Sequence, residues 1–141
     1  MAKLLTDSNE YENERDYASC IDSAQSVLKL EPQVANVRFI AHQHLCKCYT
    51  GNSEPSQAIK NCHEALKIRK EAAVYCDRAE AYLAAEMFDD GKCYLYKALH
   101  FNFDTWLSFK LYISFFNFKH RTTLSTPELL IRSSILARPL V

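Results

Sequence analysis

The sequence predicts an all-α fold, a short α-solenoid of about three tetratricopeptide-like (TPR-like) helix hairpins. Three observations carry this. Apolar residues recur at spacings of three and four through most of the first hundred positions. The whole chain holds 2 Gly and 4 Pro, too few turn formers for a many-stranded sheet. Pairs of such helices repeat at intervals close to the 34 residues of a TPR.

In the first hairpin, Leu4, Leu5, Ser8 and Tyr11 lie on one helical stripe. Asp16-Tyr17 is read as a tight turn, and a second helix is expected over 18–30, with Cys20, Ile21, Ala24, Val27 and Leu28 on one face. Pro32 closes the unit, because the residue before a proline is biased away from helix. The second hairpin predicts a helix over 34–50, with Val37, Ile40, Ala41, Leu45, Cys48 and Tyr49 as its apolar positions. Gly51-Asn52-Ser53-Glu54-Pro55 is read as the breaker, with Gly51 as the C-terminal cap. A partner helix over 56–69 carries Ala58, Ile59, Cys62, Ala65, Leu66 and Ile68. The third unit begins near Glu71, uses Tyr75, Ala79, Tyr82 and Leu83, and turns at Met87-Phe88-Asp89.

These units superpose. Asp16-Tyr17, Glu54-Pro55 and Met87-Phe88 stand at spacings of 38 and 33 residues, and Val27-Leu28, Ala65-Leu66 and Ala98-Leu99 keep the same register. The repeats are placed over 1–33, 34–70 and 71–102, stacked in a right-handed superhelix. A divergent apolar and basic tail follows over 103–141.

The chain is neutral overall, with 17 basic and 17 acidic residues. No global charge favours nucleic acid or an anionic membrane. Residues 1–104 are net −4 and residues 105–141 net +4. Between 101 and 118, eleven of eighteen residues are large and apolar. Asn102, Asp104, Lys110 and Asn117 argue against a membrane-spanning helix there and favour a helix capping the open end of the solenoid. A short helix is expected over 127–136.

The runs Lys3-Leu4-Leu5, Ser26-Val27-Leu28-Lys29-Leu30-Glu31-Pro32, Leu45-Cys46-Lys47-Cys48-Tyr49 and Ala58-Ile59-x-x-Cys62 carry more than a generic repeat pattern. So does Asp77-Arg78-Ala79-Glu80-Ala81-Tyr82-Leu83-x-x-Glu86-Met87-Phe88-Asp89. Together they resemble the last repeats of the endoplasmic-reticulum DnaJ subfamily C co-chaperones, which join TPR repeats to a J domain. The resemblance covers about 90 residues. It implies a protein-binding module that holds misfolded or extended clients in the lumen, with a link to inhibition of the interferon-induced kinase in the unfolded protein response. It does not carry stimulation of the lumenal heat-shock chaperone, because the J domain's His-Pro-Asp triplet is nowhere in the sequence. No apolar leader follows Met1, so a precursor of this sequence alone is expected to stay in the cytosol. The alternatives are a cytosolic TPR adaptor with a defined protein partner and a non-functional truncated product, the family pattern breaking off near Gly91-Lys92.

On the concave face of such repeats the inward positions are Leu5, Asn9, Gln43, Lys47, Cys76 and Glu80. Gln43, Lys47, Cys76 and Glu80 are the expected client contacts. A clamp for C-terminal carboxylates needs a row of Lys, Asn and Arg. Only Asn9 and Lys47 fit it, and Glu80 would repel a carboxylate.

The relatives implied by the resemblance have a Cys at the positions of both Cys46 and Cys62. The two also face each other across one hairpin, so a disulfide between them is expected in an oxidising lumen, against two buried thiols in the cytosol. Cys48 lies about 200° around the helix from Cys46 and should not compete. Cys20, Cys76 and Cys93 are read as packing residues.

A zinc site from Cys46, Cys48, Cys62 and His63 is disfavoured because both pairs sit inside helices rather than on a knuckle. His42 and His44 point to different faces. No nucleophile–base arrangement and no phosphate-cradling glycine loop is present, so no catalysis and no cofactor are expected.

Overall fold

A computed structural model describes residues 2–100. The expected capping helix, the 127–136 helix and the apolar stretch from 101 lie outside the described residues. Among those described there are six helices: α1 (Ala2–Glu14), α2 (Tyr17–Leu30), α3 (Ala35–Gly51), α4 (Pro55–Ile68), α5 (Ala72–Ala84) and α6 (Phe88–His100). They pair as three antiparallel hairpins, α1–α2, α3–α4 and α5–α6, stacked so that α1 meets α3 and α3 meets α5. None of these helices is long and apolar enough to cross a membrane.

Local chemistry sets the helix starts. The Asp16 carboxylate accepts from the Ser19 backbone N–H at 3.3 Å and caps α2. Pro55 opens α4, where its missing N–H leaves no extra donor unsatisfied. The expected breaker therefore contributes its last residue to a helix. In α6, Asp89 and Asp90 occupy the first turn and Lys97 and His100 the last, each complementing the helix dipole.

The turns repeat one geometry. Arg15, Ser53 and Glu86 all adopt positive φ, at 62°, 64° and 60°. In each case the next residue's N–H reaches back five positions, from Asp16 to Tyr11 O, Glu54 to Tyr49 O and Met87 to Tyr82 O, all at 2.9 Å. This is the left-handed C-terminal cap for which glycine is the usual residue, built here on three side-chain-bearing residues. Gly51, expected in that role, is instead the last helical residue of α3. A Cβ there would run into the Tyr17 ring, so its glycine is dictated by space rather than by backbone conformation.

The repeat register also orders the core. Ser8, Cys46 and Ala79 are equivalent and fully buried where each first helix crosses its partner. Val27, Ala65 and Ala98 are equivalent and fully buried on the second helices. Small residues at both crossings let the helix axes approach closely. Phe39, outside the expected α3 stripe, is 2% exposed and has the Arg69 guanidinium 4.0 Å from its ring centroid.

Candidate protein-binding groove

The first helices present a cleft of about 510 Å³ lined by Glu12, Asn13, Arg15, Tyr17, Lys47, Thr50, Gly51, Asp77 and Glu80. It lies on the α1, α3 and α5 side, where the repeat pattern placed the concave face. Lys47 Nζ is 3.6 Å from Glu12 Oε1, and His44 Nδ1 is 3.4 Å from Glu12 Oε2. Gln43 Nε2 donates to Asp77 Oδ2 at 3.3 Å. Charged and polar groups from three successive repeats thus interlock across the groove.

Two carboxyls respond in opposite directions. Glu12 is held below the ordinary carboxylate range, first by the contact with His44 and also by Lys47, against the desolvation that would raise it. The Asp77 carboxyl is enclosed, and burial pushes it up to about 7. Lys47 and the Gln43 hydrogen bond pull it down, while Glu80 and Glu12 reinforce the rise.

Of the expected contacts, Lys47 and Glu80 line this cleft and Gln43 touches it through Asp77. Cys76 does not belong on the groove surface. It is 2% exposed, packed in the core cluster with Phe39, Cys46 and Cys62. Leu5 packs against Val27, Val37 and Ala41, and Asn9 is exposed. The carboxylate-clamp pattern finds no support, since Lys47 is paired with Glu12 and Glu80 shares its cleft. Glu12 and Asp77 were missed. Each stands three residues from an inward position, Asn9 and Glu80, and so on the same helix face.

The cysteines form two disulfides. Cys46 and Cys62, on α3 and α4, are bonded with their Cα atoms 5.2 Å apart. Cys20, read from sequence as a packing residue, is bonded to Cys48 across α2 and α3, at 6.2 Å. Position alternates by half a turn between 46 and 48, so α3 offers one sulfur to each neighbour. Ser8 Oγ lies 3.4 Å from Cys20 Sγ and ties α1 to the same junction. Cys76 and Cys93 are not disulfide-bonded, and Cys93, also read as a packing residue, is exposed.

The histidines are dispersed. His42 Nδ1 is 3.0 Å from Asn61 Oδ1, and His63 Nδ1 is 3.2 Å from Arg78 Nη1. Among the described residues no group of three or more His, Cys, Asp or Glu could hold a metal ion. Arg78 is a further residue that the sequence reading passed over. It is 9% exposed, its guanidinium lies 4.1 Å from the Tyr94 ring centroid, and Nη2 donates to Tyr82 Oη at 3.3 Å. Tyr82 and Tyr94 stack at 5.3 Å, so the charge is buried against aromatic faces where α5 meets α6.

No family model matches the chain. Over 89 residues, 62% of the chain, it is 34% identical to DnaJ homolog subfamily C member 3 of Bos taurus and of Rattus norvegicus, and 32% identical to that of Homo sapiens. The match spans 18% of each relative's length. A solved structure, the crystal structure of the P58(IPK) TPR domain, superposes with a TM-score of 0.73 at 27% identity, covering 87% of this chain and 35% of that one. Over its described helices the chain is a helical-repeat solenoid similar to the TPR region of DnaJ homolog subfamily C member 3.

Proposed function

We propose that the chain is a protein-binding TPR module of an endoplasmic-reticulum co-chaperone, and that its groove holds misfolded or extended client polypeptides. The observation that carries this is the open cleft shared by α1, α3 and α5, in a chain similar to a TPR co-chaperone. Gln43, Lys47 and Glu80 are the client contacts, joined by Glu12 and Asp77. A lined channel of mixed polar character suits a backbone with unsatisfied amides better than a folded surface does.

The two disulfides favour a lumenal site of action over a cytosolic adaptor, because such bonds persist in oxidising compartments. A protein kinase is the second partner class within this reading, supported by the resemblance alone. The whole chain, purified oxidised, is expected to suppress aggregation of a chemically denatured reporter at near-stoichiometric ratios. Failure to suppress aggregation, together with failure to bind any extended peptide, would remove the reading.

A further inference from the structure

The three hairpins meet at two joints that are built differently. At the first, Cys20 on α2 is bonded to Cys48 on α3. At the second, the repeat register puts Ala58 on α4 and Ala81 on α5 at the equivalent positions, both fully buried. The alanines leave that joint without a staple. It carries instead a buried guanidinium. Arg78 is 9% exposed, and among the described residues no carboxylate pairs with it. Its surroundings are neutral. Nη1 lies 3.2 Å from His63 Nδ1 on α4, Nη2 donates to Tyr82 Oη, and Nε has no hydrogen-bond partner. Arginine offers donors only, so Nη1 donates and His63 Nδ1 is the unprotonated ring nitrogen.

We propose that the α4–α5 joint is a proton-sensitive hinge, locked by neutral His63 and loosened when His63 is protonated. Protonation removes the accepting lone pair and sets an imidazolium beside a guanidinium that no carboxylate neutralises. If the exposed ring turns out to solvent instead, Nη1 joins Nε as a buried donor without an acceptor. Both routes weaken the joint. The neighbouring charges do not absorb the change. On α4, Glu64 adjoins His63 but is held by Lys67 at 2.6 Å, and His42 of α3 acts on the same carboxylate. On α5 the neighbours are Arg78 and the Tyr82 hydroxyl. On α6, Lys97 stands over the Tyr94 ring that covers Arg78, and Asp90 acts on Tyr94 from the first turn. The stability of this joint is therefore present with neutral His63 and lost as pH falls. Asp77, beside Arg78 in sequence, works in the opposite sense. Because Gln43 of α3 bonds Asp77, loosening α5 also shifts one wall of the groove.

The test is hydrogen–deuterium exchange on the full, oxidised chain at about pH 7.5 and about pH 5.5, either side of the usual histidine range. Rates are corrected for the intrinsic pH dependence of amide exchange. His63→Gln keeps an acceptor for Arg78 at both pH values and leaves Asp77 in place, so the difference between the two chains belongs to His63. On acidification the wild-type chain is expected to lose about fivefold in protection of the α5 and α6 amides relative to His63→Gln. In an Arg78→Leu background, which restores the residue type that Leu45 supplies at the equivalent position, His63→Gln is expected to make no difference. An acid response that is the same in the wild-type chain and His63→Gln overturns the hinge. So does a difference that persists once Arg78 is replaced.

Discussion

Gln43 Nε2 donates to Asp77 Oδ2 at 3.3 Å, placing a neutral amide from α3 on a carboxyl of α5 that burial pushes up to about 7. The unfolded chain loses that proton near 3.8, so the folded state holds an extra proton between about pH 4 and pH 7. Asp77 therefore contributes stability that is present below pH 4 and is lost as pH rises toward 7, with a limiting slope of about 1.4 kcal/mol per pH unit. Asp77→Asn is expected to raise the urea midpoint at pH 8 and to leave it unchanged near pH 4. Urea titrations at the two pH values check this; an unchanged midpoint at pH 8 contradicts the assignment. Glu12 acts in the opposite sense, its stabilisation being lost as pH falls into the carboxylate range.

The left-handed turn residues offer a second check. Ser53 and Glu86 are exposed and adopt φ of 64° and 60°. A side chain in that region costs about 1 kcal/mol, most of which glycine removes despite its greater freedom in the unfolded chain. Ser53→Gly and Glu86→Gly are each expected to stabilise by about 0.5–1 kcal/mol, additively because they cap different hairpins. Thermal melts of the two single variants and the double variant measure it.

Gly51 behaves in reverse. An exposed helical Gly→Ala change ordinarily stabilises by about 1 kcal/mol. Here the new methyl meets the Tyr17 ring, which packs against the Cys20, Ile21 and Leu45 cluster. Gly51→Ala is expected to destabilise by about 1–2 kcal/mol, and to stabilise in a Tyr17→Ala background. A double-mutant cycle by chemical denaturation reads the sign change directly.

Thiol accounting tests both disulfides at once. The native chain should take one iodoacetamide label, at exposed Cys93, and the unfolded but unreduced chain two, with Cys76 added. The reduced chain should take six. Replacing Cys20 and Cys48 together with Ser, or Cys46 and Cys62 together, is expected to cost roughly 3–4 kcal/mol for each bond. Four labels on the unfolded, unreduced chain would dispose of one bridge.

The repeat register was legible in the sequence because it depends on local pattern. Asp16-Tyr17, Glu54-Pro55 and Met87-Phe88 each straddle a helix start, and the small residues of the second helices recur in phase. Gly51 was read by the commonest use of glycine at a helix end, whereas here the nearby aromatic ring decides. The Cys20–Cys48 bond escaped because its partners lie in different hairpins, and only the stacking of one repeat on the next brings α2 against α3. The groove was half legible. Helical phase identified Lys47 and Glu80, but whether Cys76 faces outward or into the core depends on how α5 rotates against its neighbours. The interplay of Glu12 and Asp77 required all three first helices in place.

The two disulfides interleave along the chain, in the order Cys20, Cys46, Cys48, Cys62. Wherever a protease cuts once between residues 20 and 62, at least one sulfur bridge spans the break. A single nick in the two loops joining α2 to α3 and α3 to α4 leaves both fragments in one covalent molecule. That interlocked backbone separates being cleaved from being lost.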